Sequence, residues 1–168
     1  MSEKYRRYSL KSKSAKALLS EISERLRWSA VALFGLKANV EVVEADFGQI
    51  YLVNGKPLFF AVDAKTLPTL LFQEFTEQAP KVVVDMGAVP YVCKGADVMA
   101  PGIVRVEGEF SKGDVVVVVD EKYGKALALG ESLYDSETAR NVRQGTVVKN
   151  FHFVSDRIWN LAKALAAH

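Results

Sequence analysis

Apolar positions change their period along this chain, and the changes divide it into elements. Over residues 12–27 they recur with a helical period: Leu18, Leu19, Ile22 and Leu26 share one face, and Lys13, Lys16 and Glu24 lie opposite. The pattern runs on from Trp28 to Leu36, with Gly35 as a stop. It then shortens to strand-like segments at Val40–Val43, Gln49–Val53 and Pro57–Val62. Asn54-Gly55 separates the last two and predicts a tight hairpin, because a primed two-residue turn requires positive φ at both positions. Thr66-Leu67-Pro68 reads as the opening of a short helix that runs to about Glu77, since proline is tolerated in a first helical turn.

Gln78-Ala79-Pro80 is the clearest boundary, and it divides the chain into residues 1–79 and 80–168. Beyond it a strand is expected at Lys81–Val84. A helix capped by Asp85 follows from Met86 to Lys94. Strands are expected at Val98–Val106, Asp114–Asp120 and Lys125–Gly130, with turns at Lys112-Gly113 and Tyr123-Gly124. Val115 to Val119 is an unbroken run of five valines and reads as a buried strand. Ser136 caps a short helix over Glu137–Arg143, Thr146–Val154 is a strand, and Asp156 caps a last helix from Arg157 to about Ala167. Strands interrupted by two short helices suit a small mixed barrel, so the chain is α+β.

Charge alters this picture at one end. The net charge is +2. Residues 1–27 carry +5, residues 28–79 carry −3 and residues 80–168 balance. The N-terminal excess (Lys4, Arg6, Arg7, Lys11, Lys13, Lys16, Arg25 and Arg27) fits either an RNA footprint or a solvated helix face with a frayed tail, and charge alone favours the second. The charged start lacks the apolar stretch of a signal peptide, and one cysteine, Cys93, excludes an internal disulfide. A cytoplasmic protein is expected.

Candidate chemistry is sparse. His152, Ser155 and Asp156 have the residue types of a hydrolase triad, but they are too close in sequence to converge, and a strand end followed by a helix cap accounts for them. Cys93 reads as a structural thiol, and His152 with His168 makes no metal site. Gly124-Lys125 lacks the spacing of a phosphate loop, and Glu41, Glu44 and Asp46 read as solvated. No catalytic group or cofactor is implied. Binding has more material. Lys94-Gly95-Ala96-Asp97 ends a helix and opens a strand, and Gly95 allows close approach of another backbone. On the late strand, alternation puts Lys149 with Phe151 and Phe153. If the two rings fill the core, Asn150 and His152 point outward and become the better contact candidates.

Residues 80–159 resemble a PUA domain, the module named for pseudouridine synthases and archaeosine transglycosylases. The resemblance rests on Asp85-Met86-Gly87-Ala88, Lys94-Gly95-Ala96-Asp97-Val98-Met99-Ala100-Pro101-Gly102, Gly113-Asp114-Val115-Val116-Val117-Val118, Ala126-Leu127-Ala128-Leu129-Gly130 and Gly145-Thr146. Two further stretches resemble the malignant T-cell-amplified sequence, or translation machinery-associated, proteins. These are Ile50 to Phe60 with Leu67-Pro68-Thr69-Leu70, and Asn150 to Trp159. The resemblance is to an archaeal-type member, and it implies an N-terminal α/β pre-PUA domain followed by a PUA pseudo-barrel. It also implies a non-catalytic protein that binds transfer RNA or small-subunit ribosomal RNA, acts in initiation, reinitiation or recycling, and docks on the small ribosomal subunit or an initiation-factor-like partner. By family position the RNA-binding residues are Lys94, Gly95, Ala96, Asp97, Lys149, Asn150 and His152. The alternative is an accessory to RNA modification (pseudouridylation or archaeosine-type base exchange), with catalysis supplied by another chain because residues 1–79 are too few for such a fold. A third reading is a protein adaptor without RNA.

Overall fold

The structure is a computed structural model that describes residues 5–167. Lys4 and His168 lie outside the described residues. The chain divides into two compact units. One runs to Phe72 and takes in the residues from Asn160 onward, and the other is Gln73–Trp159.

The first unit is built on an antiparallel sheet of β1 (Arg6–Ser9), β2 (Val40–Ala45), β3 (Gly48–Val53), β4 (Lys56–Val62) and β5 (Lys65–Pro68), in that spatial order. Between β1 and β2 run α1 (Ser12–Leu26) and α2 (Ala30–Phe34). Arg27 ends α1 in the left-handed conformation, and Ser29 caps α2 by accepting the Ala32 N–H. The β3–β4 hairpin turns at Asn54 and Gly55, both at positive φ as expected. Trp28, Phe34, Phe59 and Phe72 form an aromatic cluster, with Phe59 and Phe72 edge-to-face at 5.2 Å between centroids.

Two expectations here are corrected. Residues 6–9 form a strand and not a frayed tail: β1 pairs with β2, Arg7 forms an ion pair with Glu41, and the Tyr8 hydroxyl donates to Glu44. The segment from Thr66 is also a strand before it is a helix. It forms the edge strand β5, whose last residue is Pro68, and α3 starts only at Gln73 (Gln73–Gln78). A proline is tolerated on an edge strand, so the Thr-Leu-Pro signal fits both elements, and pairing with β4 selects the strand.

The second unit begins with α3 and holds β6 (Lys81–Val84), α4 (Val89–Val92), β7 (Val98–Met99), β8 (Ile103–Glu107), β9 (Val115–Asp120), β10 (Ala126–Ser132), α5 (Ser136–Asn141) and β11 (Thr146–Phe153). The helix α6 (Arg157–Ala166) then carries the chain into the first unit. The sheet order is β7-β11-β10-β9-β6-β8. β9 is paired on both edges, parallel to β6 and antiparallel to β10, and its valines 116–119 are all buried, as in a strand covered on both faces. Val82, Val84, Val116, Val118, Leu127 and Val147 centre this core.

The expected strand over Val98–Val106 is broken. A 3-10 turn at Ala100–Gly102 separates β7 from β8, so β7 pairs with β11 while β8 pairs with β6 at the opposite edge of the sheet. Pro101-Gly102 is the local signal of the break, and pairing shows where each half goes. The expected helix over Met86–Lys94 contracts to Val89–Val92. Residues 85–88 form a turn, held by the Asp85 carboxylate accepting the Ala88 N–H at 2.9 Å. Asp135, not Ser136, caps α5 through the Thr138 N–H.

Candidate nucleic-acid interface

After α4 the chain makes a compact turn through Cys93–Asp97. Tyr91 O accepts the N–H groups of Lys94 at 3.1 Å and Ala96 at 3.0 Å, and Val92 O accepts that of Gly95 at 3.0 Å. Gly95 has φ +97, and a Cβ there would meet Phe153 Cε1 at 2.9 Å. The glycine is therefore required on the inner side, where the Phe153 ring lies, and its role is to let the turn sit on that ring.

Asn150 of β11 fastens the turn from the other side. Its Nδ2 donates to Val92 O at 3.1 Å and Ala96 O at 3.0 Å. The Asn150 backbone N–H donates to Asp97 Oδ1 at 2.9 Å. β7 pairs with β11 only as far as Val98 opposite Val148, so the Asp97 side chain supplies the acceptor that a longer β7 would have offered. Asn150 Oδ1 is buried and has no partner.

Five of the seven expected contact residues are thus joined in one hydrogen-bonded cluster: Lys94, Gly95, Ala96, Asp97 and Asn150. Lys94, Ala96 and Asp97 are exposed. Lys149 is exposed as well, but neighbouring strand residues face opposite ways, and its side chain is not part of the cluster. Neither Lys94 nor Lys149 has a side-chain ion pair among the described residues.

The outward placement of Asn150 and His152 is corrected. Asn150 is turned into the clamp. His152 is 0% exposed, and its Nδ1–H donates to Asp156 Oδ2 at 2.7 Å. Asp156 also accepts the Phe153 N–H and, as the cap of α6, the Trp159 N–H. The cause is a bulge. Leu129 pairs with His152 and Gly130 with Asn150, so Phe151 is an extra residue and simple alternation fails across it. Gly130 permits this crossing, because a Cβ there would fall 2.3 Å from Val148 Cγ1.

Sequence reasoning passed over Tyr91, which is 68% exposed at the end of α4 and whose carbonyl organises the turn. The available signal was an aromatic residue one helical turn before Lys94. Burial pushes the Cys93 thiol up, and the nearby Lys125 ammonium opposes that effect. No group of three or more His, Cys, Asp or Glu among the described residues could hold a metal ion. No helix among them is long and apolar enough to cross a membrane.

The fold and this turn define a class. Residues 80–154 match the PUA domain, and residues 6–73 match a domain of unknown function, DUF1947. An N-terminal pre-PUA domain followed by a PUA domain is therefore the architecture. The chain is 37% identical over 156 residues to an uncharacterised protein of Methanocaldococcus jannaschii, covering 92% of this chain and 96% of the relative. It is 33% identical to translation machinery-associated protein 20 of Saccharomyces cerevisiae, covering 75% and 74% of the two chains. A PUA-domain crystal structure from Aeropyrum pernix, solved as a tartrate complex, superposes with a TM-score of 0.84 at 27% identity over 97% of this chain and 94% of that one. The chain belongs to the PUA-domain family of translation machinery-associated protein 20 and malignant T-cell-amplified sequence 1.

Proposed function

We propose that this protein is a non-catalytic RNA-binding factor of the translation apparatus, working in the cytoplasm. Its second unit would hold a transfer RNA end or a segment of small-subunit ribosomal RNA on the Lys94–Asp97 turn. The observation that carries this is a rigid, exposed turn with an unpaired ammonium. Lys94 can meet a phosphate, the exposed Tyr91 ring can stack a base, and Asn150 holds the backbone of the turn that carries both. Asp97, which would repel phosphate, has one carboxylate oxygen committed to the Asn150 N–H. Family membership directs this capacity towards translation. The first unit would then dock on the small subunit or on an initiation-factor-like protein.

The test is RNA-binding titration at fixed ionic strength with Lys94→Glu/Lys149→Glu. The double variant is expected to bind single-stranded RNA at least about tenfold more weakly. The slope of log affinity against log salt should shrink by about 0.7 for each lost phosphate contact. Its unfolding midpoint should stay in place, since both side chains are exposed. Unchanged affinity would refute the assignment. Copurification with an RNA-modifying enzyme and absence from ribosomal fractions would favour the modification-accessory reading instead.

A further inference from the structure

The β9–β10 turn, Asp120-Glu121-Lys122-Tyr123-Gly124-Lys125, contains an unusual concentration of binding chemistry. Tyr123 is 71% exposed, among the most open large side chains in the described residues. Lys122 Nζ lies 5.2 Å from its ring centroid, and the ring retains ample open area for a base. Lys122 and Lys125 are both exposed.

The turn is built to hold these groups still. Asp120 is only 4% exposed, and its carboxylate accepts the Tyr123 N–H and, at 3.1 Å, the Lys125 N–H. Its carbonyl accepts Gly124 N–H at 3.1 Å, its own N–H donates to Lys125 O at 3.3 Å, and Glu121 N–H donates to Val84 O at 3.0 Å. Backbone N–H groups, that of Tyr123 foremost, hold the Asp120 carboxyl below the usual range despite its burial. The aromatic ring and two ammonium groups therefore project from a fixed backbone.

The turn's position matters as much as its composition. Asp120 pairs with Val84, at the end of β6 from which the chain passes to α4. Ala128, just beyond the turn on β10, pairs with Phe153, whose ring lies under Gly95. Lys125 is also near enough to Cys93 to act on its thiol. The β9–β10 turn and the Cys93–Asp97 turn thus stand at the same end of this unit.

We propose that the β9–β10 turn is a second RNA-contact element, in which Tyr123 stacks an unpaired base while Lys122 and Lys125 hold the flanking phosphates. This rests on the RNA-binding reading above and extends the strand's path beyond Lys94. Glu121 offsets one of the two lysine charges, so stacking carries a large share of the contact.

The test uses the full chain, fluorescently labelled short single-stranded RNA of mixed sequence, and a blunt RNA duplex whose bases are already stacked. Tyr123→Ala is expected to weaken single-strand binding about tenfold with no change in salt slope, and Tyr123→Trp to restore it. Duplex binding should be unaffected. Lys122→Glu/Lys125→Glu should weaken binding and reduce the salt slope as well. Photo-crosslinking of wild-type protein to bromouridine-substituted RNA should label Tyr123, which keeps the proposal testable if a variant fails to fold. Wild-type affinity in both turn variants overturns this proposal alone, provided that Lys94→Glu/Lys149→Glu still binds weakly. Equal loss on single strand and duplex in Tyr123→Ala overturns the stacking role. Absence of saturable RNA binding by the wild type overturns this proposal and the reading beneath it together.

Discussion

Replacing Asn150 tests the clamp that shapes the candidate interface. Its amide makes two hydrogen bonds to Val92 O and Ala96 O, at 3.1 and 3.0 Å. Both neighbours are carbonyls, so only the NH2 group can face them, and the amide orientation follows from chemistry. Each bond is worth about 1 kcal/mol net. In Asn150→Ala the Ala96 carbonyl, on an exposed residue, can turn to water, which limits the loss. The partnerless Oδ1 also disappears, a further offset. The net expectation is about 1–2 kcal/mol, or roughly 2–8 °C in melting temperature for a chain of this size. Asn150→Asp is close to isosteric, yet it aims an oxygen at the same two carbonyls beside the Asp97 carboxylate. It should cost about 3 kcal/mol or more, well beyond the alanine variant. Urea unfolding measures both, and hydrogen exchange at the Gly95, Ala96 and Asn150 amides localises the effect. Equal stability of the two variants would show that the amide nitrogen does not face the carbonyl pair. Wild-type stability and exchange in Asn150→Ala would refute the clamp itself.

Two further outcomes follow from the same end of the unit. Gly95→Ala should destabilise by about 2 kcal/mol, from positive φ and the 2.9 Å approach to Phe153, and adding Phe153→Leu should recover part of the loss in thermal unfolding. No recovery would show that the ring is not the obstacle. Asp120 titrates below its ordinary value in the folded chain, so its contribution is complete above the unfolded aspartate value of about 3.9 and is lost as pH falls through the lower folded value. The stability gap between wild type and Asp120→Asn should therefore be wide at neutral pH and narrow in acid. A gap that is constant with pH, read from urea midpoints, would contradict this.

Local signals were reliable where one residue type answers one local requirement. Asn54-Gly55 announced its hairpin because few other pairs accept positive φ twice. Asp156 announced the start of α6 because its carboxylate caps a nearby N–H. The valine run announced a buried strand, since successive apolar residues suit a strand covered on both faces, and Val116–Val119 are buried. The proposed contact site was half legible. Lys94 to Asp97 stood out as a lysine followed by small and turn-forming residues, whereas Tyr91 and Tyr123 did not, because exposure of an aromatic ring depends on what the rest of the fold leaves uncovered.

The sequence by itself determined most of the strands and helices, the hairpin at Asn54-Gly55 and the turn that forms the proposed interface, and its family resemblance gave the order of pre-PUA and PUA domains. The elements and the turn are set by short-range patterning and by residues with particular backbone or capping chemistry. Tertiary structure alone decided what each residue in that turn does. The bulge at Phe151 turned Asn150 into a clamp and buried His152, and the break at Ala100–Gly102 sent β7 and β8 to opposite edges of one sheet. Both outcomes come from strand register. Register is a relation between distant segments, so one extra residue reassigns side chains that alternation along a single strand would have placed elsewhere.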